Sequence, residues 1–159
     1  MPRHRKKTRV SEFAILMHLA AGLSFTPATV QAAGDMTRQD PVEIRVQLGN
    51  AKGDMLFAPD ELSFETGKLY KVVLTNASPV AHYFTSPTLS GAVFTRKVQV
   101  NGPDGKAIGE IKGSVSELEV YPGGTIEWWF VPVKTANGEL KCSIAGHAEH
   151  GMVGKVNVR

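Results

Sequence analysis

Apolar and polar residues alternate at every position from Val42 to Leu48, with Val42, Ile44, Val46 and Leu48 set against Glu43, Arg45 and Gln47. A period of two is that of a strand with one buried face, and Gly49-Asn50 ends it. From Met55 to Gly67 the pattern gives two short extended pieces bent at Pro59, because proline suits edges and bends better than central strand positions. Leu62 and Phe64 share a face of the second piece. The next strand, Leu69 to Thr75, puts Tyr70, Val72 and Leu74 on one side, and Asn76-Ala77-Ser78-Pro79 punctuates it. Another extended segment, Val80 to Thr85, follows and is closed by Ser86-Pro87-Thr88.

Between Leu89 and Lys112 the chain reads as an insertion: a turn or short helix over Leu89 to Val93, then a hairpin. Its arms are Phe94 to Val100 and Ala107 to Ile111, and Asn101-Gly102-Pro103-Asp104-Gly105 supplies the positive-φ positions of the reversal. Ser116 to Tyr121 places Leu118 and Val120 inward, and Pro122-Gly123-Gly124 turns into Thr125 to Val131. There Ile126, Trp128 and Phe130 share a face and Trp129 falls on the other; both tryptophans read as sheet packing. Asn137-Gly138 is expected to turn the chain into Glu139 to Ile144, with Leu140, Cys142 and Ile144 inward, and Val153 to Val158 is the closing strand. After residue 34 no stretch keeps helical periodicity. Strands about eight to twelve residues apart with Gly and Pro turns predict an all-β sandwich or barrel.

The N-terminus changes this picture. Arg3, Arg5, Lys6, Lys7 and Arg9 precede an apolar run from Phe13 to Phe25, and small residues follow from Ala28 to Gly34. That order is the order of a secretory signal peptide over residues 1–32, with Val30-Gln31-Ala32 matching the small-x-small cleavage rule. The alternative is an uncleaved anchor or basic tail, for which the apolar run is short. Residues 33–41 are polar and without periodicity, a flexible lead-in to a single domain over residues 42–159.

The whole chain carries 18 Lys and Arg against 15 Asp and Glu, but five of the basic residues and one acidic residue lie in 1–32, leaving 13 against 14. The basic charge belongs to the leader, so neither nucleic acid nor an anionic membrane is expected as a partner.

A single cysteine in an exported chain has no internal disulfide partner and must be a spare thiol, an intermolecular link or a metal ligand. It opens Cys142-Ser143-Ile144-Ala145-Gly146-His147-Ala148-Glu149-His150-Gly151-Met152, a thiol, an imidazole and a thioether at Cys-x4-His-x4-Met spacing. Soft sulfur with imidazole suits copper, and two His and one Cys beneath a weak axial Met form an electron-transfer copper centre. His82, at the end of an upstream strand, supplies the missing imidazole. Singly, each residue has an ordinary role: a buried thiol, a strand-end histidine, a methionine filling a core gap. Their order within one Gly-punctuated loop points to copper. Zinc also takes Cys and His, but gains little from a long Met contact.

Phe57-Ala58-Pro59 with Leu62, Phe64 and Gly67, then Ala81-His82, Pro122-Gly123, and Cys142 to Met152 followed by Gly154-Lys155-Val156 carry a resemblance. The sequence resembles the cupredoxins, the small blue copper proteins, over nearly the whole domain, with a loop spacing most like rusticyanin's. The resemblance implies a Greek-key β-sandwich of about eight strands carrying an inserted hairpin. It implies one type 1 copper ion on His82, Cys142 and His147 with Met152 as the axial ligand, and no catalytic residues. It also implies a monomeric periplasmic electron carrier whose redox partners are proteins such as a c-type cytochrome or an oxidase. A copper chaperone or store would use the same ligands.

A copper nitrite reductase, a multicopper oxidase or an oxidase subunit would require further metal positions or a second Cys. Two departures stand out: Tyr83 where relatives place a small polar residue that helps pin the site, and His150 beside Glu149, which most relatives lack.

Overall fold

The computed structural model describes Met1 and residues 39–159; the expected leader and residues 33–38 of the expected lead-in lie outside the described residues. Two sheets face each other across one core. The first contains β1 (Val42–Leu48), β2 (Phe57–Ala58), β4 (Tyr70–Asn76), β6 (Val93–Asn101), β7 (Ala107–Ile111) and β9 (Thr125–Pro132), in the spatial order β2-β1-β4-β9-β6-β7. The second contains β3 (Glu61–Phe64), β5 (His82–Thr85), β8 (Glu117–Val120), β10 (Ala136–Lys141) and β11 (Val153–Val158), in the order β3-β11-β10-β5-β8. Two pairs run parallel, β1 with β4 and β3 with β11.

The alternation read from the sequence places the core. Val46 and Leu48 of β1, Leu62 and Phe64 of β3, and Leu118 and Val120 of β8 point inward. Aromatic rings fill the space between the sheets: Trp128 packs 4.6 Å from Phe130, which lies 5.3 Å from Phe64 of the other sheet, ring centroid to ring centroid. Burying one such side chain contributes about 1.5–3 kcal/mol, so these facing rows dominate the stability of the sandwich. Trp129 points outward as its parity requires, with Lys71 Nζ and Lys97 Nζ at 5.4 and 5.2 Å from its ring centre. Pro59 is where the chain leaves one sheet for the other, since β2 and β3 on its two sides belong to different sheets.

Three features differ from the sequence pattern. Among the described residues eleven strands form rather than about eight, because short pieces such as the two residues of β2 each find a partner. The hairpin forms, but its first arm is no appendage: β6 runs along β9 from Val93 to Asn101 and joins it to the edge strand β7.

Asn137-Gly138 is not a turn and lies inside β10, paired with β11 from Ala136 to Lys141. The glycine serves packing instead. A Cβ on Gly138 would lie 2.1 Å from Thr88 Oγ1, and Thr88 belongs to the short helix α1 (Pro87–Ser90) that sits on this strand. Ser86 caps that helix, accepting from Leu89 N–H at 3.4 Å and donating to Glu139 O at 2.7 Å, which fastens α1 to β10. Gln39, at the end of the expected lead-in, is also fastened: its side chain bonds Gly67 O at 3.2 Å and Leu69 N–H at 3.0 Å.

Candidate metal centre

Asn76 ends β4 and organises the turn that delivers the first imidazole. Its side-chain amide is buried and donates to Val80 O at 2.8 Å and Val120 O at 2.7 Å, while its Oδ1 accepts from Ser78 N–H at 2.8 Å. The turn is thereby tied to β8, and β5 starts at His82 with its ring wholly inside. Burial, and then the neighbouring His147, hold the His82 pKa below the ordinary imidazole value. The sequence pattern marks Asn76 only as punctuation, because its acceptors lie in other segments.

Cys142 follows β10 on the inward parity expected of it and is 1% exposed. The loop beyond it folds back on itself. His147 N–H donates to Ile144 O, Gly151 N–H to Ala148 O, and Met152 N–H to His147 O at 3.0 Å; Cys142 N–H then donates to Met152 O at 3.1 Å. Gly146 and Gly151, with φ of +86° and +103°, make the reversals.

The three donors meet. His82 Nδ1 lies 3.2 Å from His147 Nδ1, His147 Nδ1 lies 3.3 Å from Cys142 Sγ, and ligand atoms of all three residues fall within 4.8 Å of one another. Met152 is fully buried in the same core cluster as Cys142, and its backbone bonds both Cys142 and His147. His82 and Cys142 are closed off from solvent, whereas His147 is half-buried and forms the edge of the site that reaches the surface.

The structure places the two departures apart from each other. Tyr83 supplies its backbone, not its side chain, to the site: its N–H donates to Cys142 Sγ at 3.3 Å. The side chain lies opposite Glu119 on β8, whose carboxylate pushes the phenol pKa up. A bulky residue is tolerated there because the pinning group is an amide that any residue except proline possesses. His150 is exposed and donates from Nδ1 to Gly146 O at 2.5 Å, apart from the three-donor cluster.

Two imidazoles, a thiol that ionises on metal binding and a neighbouring thioether suit copper, and both imidazoles turn Nδ1 inward. The residues fit the ion.

No family model matches the chain, and no curated protein sequence does. Solved structures do. A multicopper oxidase from Campylobacter jejuni is 16% identical, with a TM-score of 0.56 over 76% of this chain and 30% of the oxidase. A copper-containing nitrite reductase from Thermus scotoductus is 13% identical, with a TM-score of 0.54 over 76% of this chain and 31% of the reductase. This is the cupredoxin fold. The chain spans about a third of the length of those two enzymes. Auracyanin from Roseiflexus castenholzii is covered over 99% of its length by 76% of this chain, at 15% identity and a TM-score of 0.48.

Proposed function

We propose that this chain is an electron-transfer protein that holds one type 1 copper ion on His82, Cys142 and His147, with Met152 as the weak axial ligand. The observation that carries the reading is the meeting of the two Nδ1 atoms and Sγ from segments sixty residues apart, with the Tyr83 N–H aimed at the sulfur. Copper supplies a one-electron couple between Cu(I) and Cu(II).

The chain's own residues supply rigidity. His82 is set by β5 and the Asn76 turn, Cys142 by β10 and Met152 by the start of β11, so the donors move little when the charge at the centre changes. Little movement means a low barrier to electron exchange, and the half-buried His147 is the port through which a partner's redox group couples.

The leader read from residues 1–32 makes the compartment the periplasm, and the partners are redox proteins such as a c-type cytochrome or an oxidase. A copper chaperone would use the same ligands, but it hands its metal to an acceptor by ligand exchange. The complete burial of His82 and Cys142 opposes that step. Loading with copper(II) is expected to give intense visible absorption from the thiolate, lost in Cys142→Ser. A colourless copper(II) protein, or colour that survives Cys142→Ser, ends the copper-thiolate reading. Stopped-flow oxidation of the Cu(I) form by a c-type cytochrome separates carrier from chaperone, since only the carrier exchanges electrons fast while keeping its copper.

A further inference from the structure

We infer that Gly49 is the positioning residue for His82, and that it acts through its lack of a side chain. Gly49 follows β1 with φ of +59°, and a Cβ built on it would lie 2.7 Å from His82 Nε2, 3.2 Å from His82 Cδ2 and 2.7 Å from Ser78 Cβ. Real Cβ atoms essentially never come as close as 2.7 Å, so any side chain here must displace both the imidazole and Ser78 or shift its own backbone. Ser78 is held, because its N–H is bonded to the buried Asn76. The Gly49 backbone is held as well, its N–H donating to Leu56 O at 2.9 Å and its carbonyl accepting from Gln47 Nε2 at 2.8 Å. With the turn and the Gly49 backbone held by these bonds, the ring, which has no such bond at Nε2, gives furthest.

What sets the place of the Nε2 edge is contact alone. His82 Nε2 is buried and, among the described residues, has no hydrogen-bond partner. No acceptor fixes that edge; the glycine backbone is pressed against it. The opposite edge carries Nδ1, 3.2 Å from His147 Nδ1. The imidazole is therefore gripped between Gly49 and the other donors, and a methyl group at 49 pushes Nδ1 out of its place among them. The β1–β2 loop contains its own control: Gly53 has φ of +84° and no atom within 4 Å of its would-be Cβ. Alanine at 53 carries the same left-handed backbone strain as alanine at 49 without touching anything.

This inference rests on the copper reading, and the test keeps the two apart. Wild-type, Gly53→Ala and Gly49→Ala proteins are loaded with copper(II), their visible and paramagnetic-resonance spectra recorded, and Cu(I) affinity measured by competition with bicinchoninate. Gly53→Ala should melt below wild type and keep its spectra. Gly49→Ala should change the charge-transfer intensities and the copper hyperfine coupling, and weaken Cu(I) binding at least tenfold. Wild-type spectra and an affinity within twofold for Gly49→Ala overturn the inference.

Loss of thiolate absorption from the wild type overturns the copper reading instead. In that case, or if Gly49→Ala does not fold, the metal-free proteins decide. In a Ser78→Gly background, which takes away the other close contact, Gly49→Ala should lower the melting temperature, and adding His82→Gly should bring that penalty down to the one Gly53→Ala causes. A penalty, or a failure to fold, that persists without the imidazole places the clash elsewhere and overturns the inference.

Discussion

The amide N–H of Tyr83 points at Cys142 Sγ from 3.3 Å, and it is the backbone of the residue after His82, not its side chain, that meets the sulfur. Tyr83→Phe should therefore leave the copper(II) spectrum unchanged. Tyr83→Pro removes the donor, makes the sulfur a stronger donor to Cu(II), and should lower the reduction potential by roughly 60 mV, equivalent to a tenfold shift of a one-electron equilibrium. Cyclic voltammetry of the two variants checks both outcomes.

Asn76 satisfies two carbonyls and one amide inside the protein. Asn76→Ala leaves those groups without partners and should cost about 2–4 kcal/mol of stability, read from urea unfolding of the metal-free protein. Because the same bonds hold the turn before His82, the variant's copper(II) resonance should also broaden.

His82 titrates below its ordinary value of 6.5 because burial, and then His147, disfavour the imidazolium. In the metal-free protein the unfolded chain takes up this proton at a pH where the folded one does not. Stability is then full above about pH 6.5 and falls as the pH drops through the folded-state value. Urea midpoints between pH 8 and pH 5 should decline in wild type and decline less in His82→Gln.

Gly138→Ala should destabilise the fold by about 1–3 kcal/mol through overlap with Thr88, and Thr88→Gly in the same chain should recover most of the loss. Thermal unfolding of the single and double variants measures the coupling.

With Met152 as the proposed axial ligand, Met152→Leu should keep the thiolate absorption and raise the reduction potential, because an axial thioether stabilises Cu(II) more than Cu(I). A variant that loses its colour would place Met152 among the strong ligands.

The sandwich was legible because period-two alternation is local: Leu118 and Val120, Trp128 and Phe130, and Leu140 and Cys142 all follow from parity along their own strands. The donor cluster was legible in residue type and spacing. What could not be read are bonds between distant segments. Asn76 reaches Val120, forty-four residues away, and nothing near either residue announces it. The Asn137-Gly138 pair has the composition of a turn, yet its glycine is required because α1 sits on β10. Arm and edge could not be told apart in the 93–111 hairpin, since an appended strand and a strand paired on both sides share one pattern.

The parallel pairing of β3 with β11 joins Glu61 to Lys155, so the second sheet closes only when the end of the chain reaches a segment made early. Such distant pairing is slow to form. A ribosome delivers His82 well before Cys142, His147 and Met152, and during that interval a lone imidazole offers copper no enclosure. On the copper reading, metal capture is timed by the last strand: loading follows the synthesis of β11.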